Sequence, residues 1–122
     1  MKKGAIITLI IIAVIAVAVI FLLVNKQGDE DFSKTGIILF YGDGCPHCEN
    51  VDKYIADNGI ADKVTFTKKE VFNDEANGEL LVNIAKQCKI DTSAVGVPFL
   101  WSGERCISGD EDVINFFKEI TQ

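Results

Sequence analysis

Histidine and proline are scarce in this chain. There is one histidine, His47, and there are two prolines, Pro46 and Pro98. The four cysteines include only one Cys-x-x-Cys, formed by Cys45 and Cys48. Without a second such pair or a second histidine, a closed structural zinc site lacks ligands. Cys45, His47 and Cys48 remain as candidate ligands, but adjacent His47 and Cys48 are awkward for one tetrahedral centre. No internal repeat is present. Basic residues are in deficit: 12 Lys and Arg face 18 Asp and Glu, and two of the twelve, Lys2 and Lys3, precede a long apolar run, leaving a net charge of −8 after it. That balance argues against nucleic acid or an anionic lipid surface as the partner. Ordinary solubility accounts for most of the acids.

Apolar residues are plentiful, at 48% of the chain, and their excess lies at one end. Residues 5–24 form a 20-residue run in which Thr8 alone is polar. This is long enough to cross a bilayer as a helix, the one single-segment form that satisfies the backbone in lipid. A cleaved signal peptide is the alternative, but its apolar region is shorter and ends at a small-residue site. Here Phe21-Leu22-Leu23-Val24-Asn25-Lys26-Gln27 has no A-x-A pattern, and no cysteine follows for lipid attachment. Lys2 and Lys3 favour an inside N-terminus. The expected organisation is a cytoplasmic N-terminus at 1–4, a transmembrane signal anchor at 5–24, a polar linker at 25–34 and one folded domain at 35–122. The domain then faces the oxidising side of the membrane, where four cysteines in a small domain are at home.

The chemistry gathers at Tyr41-Gly42-Asp43-Gly44-Cys45-Pro46-His47-Cys48. A Cys-x-x-Cys where an apolar run gives way to a helical pattern reads as a redox site. Pro46 suits the first helical position, where its missing N–H costs nothing. Cys45 then falls at the helix N-cap, facing unpaired N–H groups and the positive end of the macrodipole. Both favour the thiolate, which is the nucleophile. Cys48, one turn on, can close a disulfide with Cys45 or expel a substrate from a mixed disulfide. His47 adds a candidate cation. A purely structural disulfide across so short a loop would restrain almost nothing.

Around this site the pattern alternates between strands and helices. Residues 36–41 are a continuous apolar run, as in a strand buried on both faces. Residues 46–57 read as a helix with Val51, Tyr54 and Ile55 on one face, stopped by Asn58-Gly59. Residues 64–67 alternate as a strand. Asn73 or Asp74 caps a second helix carrying Leu80, Leu81, Ile84, Ala85 and Cys88. Residues 98–101 and 105–108 read as a hairpin around a Gly103 turn. Asp110 can cap a last helix bearing Val113, Ile114, Phe116, Phe117 and Ile120. Trp101 and the phenylalanines read as core, with one or two lining a substrate groove. The order is β-α-β-α-β-β-α, with the first two strands parallel and the hairpin antiparallel.

This arrangement resembles the thioredoxin superfamily, most closely its minimal glutaredoxin-like form, and the resemblance spans about residues 36–120. Phe40-Tyr41, Cys45-Pro46-His47-Cys48, Gly96-Val97-Pro98 and Cys106-Ile107-Ser108-Gly109-Asp110 carry it. The Cys-Pro-His-Cys centre is similar to that of DsbA-type disulfide oxidases. The resemblance implies a cis Pro98, preceded by Val97, packed beside the redox cysteines. It also implies that Pro46, His47, Val97 and Pro98 tune the site. A thiol-substrate role for Gly109 and Asp110 follows from the glutaredoxin segment they match. The thioredoxins' buried acid upstream of the cysteines is missing, since Ile37-Ile38-Leu39-Phe40 stands there. Lys68, Lys69 and Glu70 are alternative neighbours of the site.

Cys88 and Cys106 enclose 17 residues. They can form a second disulfide, worth roughly 3 kcal/mol on chain-entropy arguments. They can equally be two small buried hydrophobes, or a pair that shuttles electrons to Cys45–Cys48. The reading as a whole is an α/β thioredoxin/glutaredoxin-like domain on a membrane anchor, an extracytoplasmic thiol–disulfide oxidoreductase. Oxidase or isomerase activity on protein thiols is favoured, because stabilising the reduced cysteine makes the disulfide more oxidising. An outward-facing reductase and a tethered metal-binding module are the alternatives. No prosthetic group is implied. The resemblance suggests reoxidation by a DsbB-like or vitamin K epoxide reductase-like membrane protein.

Overall fold

The computed structural model describes residues 2–24 and 36–122. It divides into two units, Met1–Asp31 and Phe32–Gln122. The expected linker at 25–34 and residue 35 lie outside the described residues.

The described residues of the first unit form the helix α1 (Lys2–Val24). Its 23 residues extend about 35 Å at the α-helical rise, against a hydrocarbon core of about 30 Å. The span Lys2–Leu23 has a mean hydropathy of 3.5. By length and composition α1 can serve as a membrane anchor or as a signal sequence.

The second unit is α/β. In chain order it holds β1 (Ile37–Tyr41), α2 (Pro46–Asp57), α3 (Ile60–Lys63), β2 (Phe66–Glu70), α4 (Glu75–Gln87), β3 (Phe99–Trp101), β4 (Cys106–Ser108) and α5 (Asp110–Ile120). The four strands form one sheet in the order β2-β1-β3-β4. β1 runs parallel to β2, with Ile37 opposite Phe66 and Tyr41 opposite Glu70. β3 is antiparallel to both β1 and β4.

The apolar runs explain the layers. Side chains alternate between faces along a strand, so a run apolar at every position needs cover on both sides. On one face Ile38, Phe40, Phe99 and Trp101 pack with Leu81, Ile84 and Ala85 of α4. On the other, Leu39 and Leu100 pack with Val51 of α2, Ile60 of α3, and Val113, Phe116 and Phe117 of α5. Burial of an apolar side chain of this size contributes about 1.5–3 kcal/mol. The core thus fixes both α2 and the end of β1, and the Cys-x-x-Cys lies between them.

Three details differ from the sequence expectations. The second strand begins at Phe66 and continues through three charged residues to Glu70, rather than spanning 64–67. Val64 N–H closes α3 by bonding Ile60 O at 2.9 Å, so Val64 is a helix cap. β2 is an edge strand, where lysines are tolerated and guard the free edge. The short helix α3 was not foreseen; Ile60, fully buried, anchors it. Finally, Gly109, not Asp110, is the N-cap of α5, and Asp110 is its first residue. Gly109 has φ 92°, a region that glycine alone enters freely. Its N–H bonds Pro98 O at 3.0 Å and its carbonyl accepts from Val113 N–H at 3.1 Å. The α4 cap is Asp74, whose carboxylate accepts from Asn77 N–H at 3.1 Å.

Candidate active site

Cys45 is the N-cap of α2 and Pro46 its first residue. The turn that delivers Cys45 is closed by its own N–H bonding Gly42 O at 3.2 Å. Its sulfur accepts from Cys48 N–H at 3.3 Å, meeting one of the unpaired donors of the helix start. The same sulfur lies 3.7 Å from the carbonyl of Val97, to which the thiol can donate. The Val97–Pro98 peptide is cis, and Pro98 is fully buried. Residues 52 positions apart in sequence therefore meet at one sulfur.

The two cysteines are free and unequal. Cys45 is half-buried, whereas Cys48 is 3% exposed. Burial and a hydrogen bond with Cys45 push the Cys48 thiol up to about 12, against a lowering by the Gly42 backbone, and the negative charges of Cys45 and Asp52 add smaller raising effects. Cys45 can present itself to a partner; Cys48 is held as a thiol beneath it.

His47 is engaged with the start of α5. Its Nδ1 lies 3.1 Å from Asp110 Oδ2, and Asn50 Nδ2 donates to the same oxygen at 2.8 Å. A carboxylate only accepts, so Nδ1 carries the hydrogen. Asn50 first, then His47, hold the Asp110 carboxyl down to about 2. The expected thiol-substrate segment is therefore engaged inside the domain: Gly109 N–H with Pro98, and the Asp110 carboxylate with α2.

The candidates from β2 separate. Lys68 Nζ bonds Asp52 Oδ1 at 2.6 Å and lies 4.6 Å from the centre of the Tyr41 ring. Glu70 instead clamps two loops, accepting from the backbone N–H of Phe72 at 2.8 Å, Asn73 at 2.9 Å and Asp43 at 3.3 Å. Partial desolvation works to raise the Glu70 carboxyl, but these donors outweigh it and keep it below its ordinary value. The clamp lays the exposed Phe72 ring directly over Gly42, where any larger residue would collide with it. Cys88 and Cys106 are disulfide-bonded, joining the end of α4 to the start of β4 with their Cα atoms 6.2 Å apart.

Asp52, Asn50 and Phe72 were missed in the sequence. Asp52 could have been found four residues after Cys48, on the same helix face. Asn50 stands three residues after His47, which is the same kind of signal. Nothing in the sequence points to Phe72 beside Gly42. Among the described residues, no group of three His, Cys, Asp or Glu side chains is arranged to hold a metal ion.

Solved structures share this architecture. A wheat glutaredoxin matches with a TM-score of 0.50 and 22% identity, over 74% of this chain and 76% of that one. The holo form of glutaredoxin C1 from Populus tremula x tremuloides matches with a TM-score of 0.50 and 17% identity, over 73% and 81%. Likeness at such identities concerns the fold, which does not by itself fix function. No protein-family model matches the chain, and no curated protein does.

Proposed function

We propose that this protein is a thiol–disulfide oxidoreductase that works through Cys45 and Cys48, with protein thiols or disulfides as substrates. The observation that carries the reading is the cysteine pair itself. An accessible sulfur caps a helix N-terminus and receives Cys48 N–H at 3.3 Å, with the second thiol buried one turn behind it. In the oxidising direction, a substrate thiolate attacks Cys45 of the closed pair. The Cys45–Cys48 bond breaks and its electron pair passes to Cys48. A second substrate thiol then attacks the mixed disulfide, leaving the substrate oxidised and Cys45 reduced. A helix N-terminus at the reduced sulfur favours the dithiol form, which makes the disulfide a stronger oxidant. Oxidase or isomerase activity is therefore favoured over reductase activity.

The length and apolarity of α1 support a membrane-anchored form, and Lys2 and Lys3 before the apolar run favour a domain outside the cytoplasm. In that setting a DsbB-like or vitamin K epoxide reductase-like membrane protein is the fitting electron acceptor. The DsbA-like Cys-Pro-His-Cys sequence points the same way.

The test is the reduction potential of Cys45–Cys48 in a glutathione redox buffer, with turnover on a reduced, unfolded protein. The oxidising reading expects a potential between about −180 and −120 mV, the span from disulfide isomerase to DsbA. A value near thioredoxin's, about −270 mV, selects the outward-facing reductase. Stoichiometric zinc in the purified protein, with no exchange activity, selects a metal-binding module. Protease added outside intact cells should digest the domain; a soluble form beginning near residue 25 would refute the anchor.

A further inference from the structure

When Cys48 attacks a mixed disulfide on Cys45, it must lose a proton that the site holds tightly. Its side chain is 3% exposed, so bulk water is not at hand. On its own helix there are Cys45, bonded to substrate at that moment, and Asp52. Just past the end of β1 comes the Gly42 backbone, with Tyr41 before it. From β2 comes Lys68, which is bonded to Asp52 and lies over Tyr41. His47 is turned to Asp110, and Glu70 is spent on three backbone N–H groups.

We propose that Asp52, held in place by Lys68, is the proton acceptor for Cys48. This rests on the redox reading above and deepens it. Two observations independent of acidity carry it. Asp52 is four residues after Cys48 on α2, which stacks the two on one face with Cβ atoms about 5–6 Å apart. Helical side chains lean toward the N-terminus, so the carboxylate tilts back toward Cys48. From the other side, Lys68 Nζ fixes that carboxylate at 2.6 Å. Lys68 pairs with Leu39, whose side chain packs under α2, so the lysine rises from the same sheet face. The ammonium also offsets a second negative charge beside the developing thiolate. Asp52 and Lys68 are 42% and 38% exposed, so the received proton can pass on to water.

The step balances as follows. The Cys48 sulfur forms a bond to the Cys45 sulfur. The bond from Cys45 to the substrate sulfur breaks, and its electron pair leaves on the substrate thiolate. The Cys48 proton goes to an Asp52 carboxylate oxygen, directly or through one water, and then to solvent. No further oxidant takes part.

The experiment mixes the reduced, full-length protein in detergent with an aryl disulfide that releases a coloured thiolate, in a stopped-flow instrument. A first phase, rising with reagent concentration, reports attack by Cys45. A second, concentration-independent phase reports attack by Cys48. Asp52→Asn should leave the first phase unchanged and slow the second at pH 7 by about 10²-fold, the low end of general-base effects. The deficit should shrink as hydroxide rises, and Asp52→Glu should recover most of the rate. Lys68→Met should slow the second phase less and alter its pH profile. An unchanged or faster second phase in Asp52→Asn overturns the proposal. A faster one is what removing a neighbouring negative charge alone would produce. Absence of a second phase in the unaltered protein sinks the redox reading itself, so the two failures are distinguishable. The first phase also checks folding in each variant.

Discussion

The two cysteine pairs of this domain have opposite fates. Cys88 and Cys106 are 18 positions apart and joined, one at the end of α4 and the other opening β4. Cys45 and Cys48 are 3 positions apart and free, across the first turn of α2. The difference is one of mechanical consequence. Closing the wide pair removes unfolded-chain freedom across a long loop, which contributes about 3 kcal/mol. Closing the narrow pair restrains almost nothing, so it can open and close without unfolding the domain. A disulfide used for stability spans distant elements, and one used for turnover spans a single helical turn.

The largest effect that would break this contrast concerns exchange activity. Cys45→Ser should lower thiol–disulfide exchange by roughly 10³-fold or more, as loss of a nucleophile does. Cys48→Ser should keep the first attack and accumulate mixed disulfides visible by mass. The double variant Cys88→Ser/Cys106→Ser should retain exchange but lose about 3 kcal/mol of stability in denaturant titration. Mass mapping of the unreduced, alkylated protein should show the two peptides linked. Loss of exchange in a folded double variant would mean that the wide pair shuttles electrons to the narrow one.

A smaller effect sharpens the inequality within the narrow pair. Cys48 is raised in the fold to about 12, above a free cysteine's value of about 8.5. A raised thiol contributes stability fully present below the unfolded value and lost as pH climbs toward the folded one. The reduced protein should therefore weaken progressively between about pH 8.5 and 12, while Cys48→Ala and the oxidised form should lack that component. Thermal unfolding of the three forms across this range checks the sign. At pH 8, brief alkylation should label Cys45 alone.

Next comes Asp110, the carboxylate tying the start of α5 to α2. Its lowered value, about 2, contributes stability present above the unfolded value of about 3.9 and lost as pH falls through about 2. Asp110→Asn should lower the melting temperature modestly near neutral pH and show a flatter profile between pH 4 and 2. A profile identical to that of the unaltered protein would mean the contact with His47 and Asn50 carries no stability. The smallest effect is expected from Gly42→Ala. The new methyl must displace the exposed Phe72 ring, so Phe72 mobility should rise while the core stays intact. Methyl and ring NMR signals near Gly42 would report it.

The sequence was legible where one rule acted alone. The apolar runs at β1 and β3, the proline-led start of α2 and the spacing within α5 each follow from a single local pattern, and all appear in the fold. It was less legible where patterns competed. Lys68, Lys69 and Glu70 lie past the end of the strand expected at 64–67, yet the parallel ladder with β1 draws them into β2 because an edge position tolerates charge. Asp110 looks like a cap, yet the bond from Gly109 to Pro98 sets the helix start one residue earlier.

By itself, the chain determined the α/β alternation, a helix able to enter a membrane, and the placing of Cys45 and Cys48 one helical turn apart. These are short-range matters: hydrophobic period, length, and spacing within one helical turn. Tertiary structure alone decided the rest. It brought Val97 to the Cys45 sulfur, set His47 against Asp110, joined Cys88 to Cys106, and set Lys68 against Asp52. Each of these contacts joins segments at least 16 positions apart. Such contacts depend on how three helices and an edge strand pack on one sheet, and packing geometry is not encoded in any local stretch.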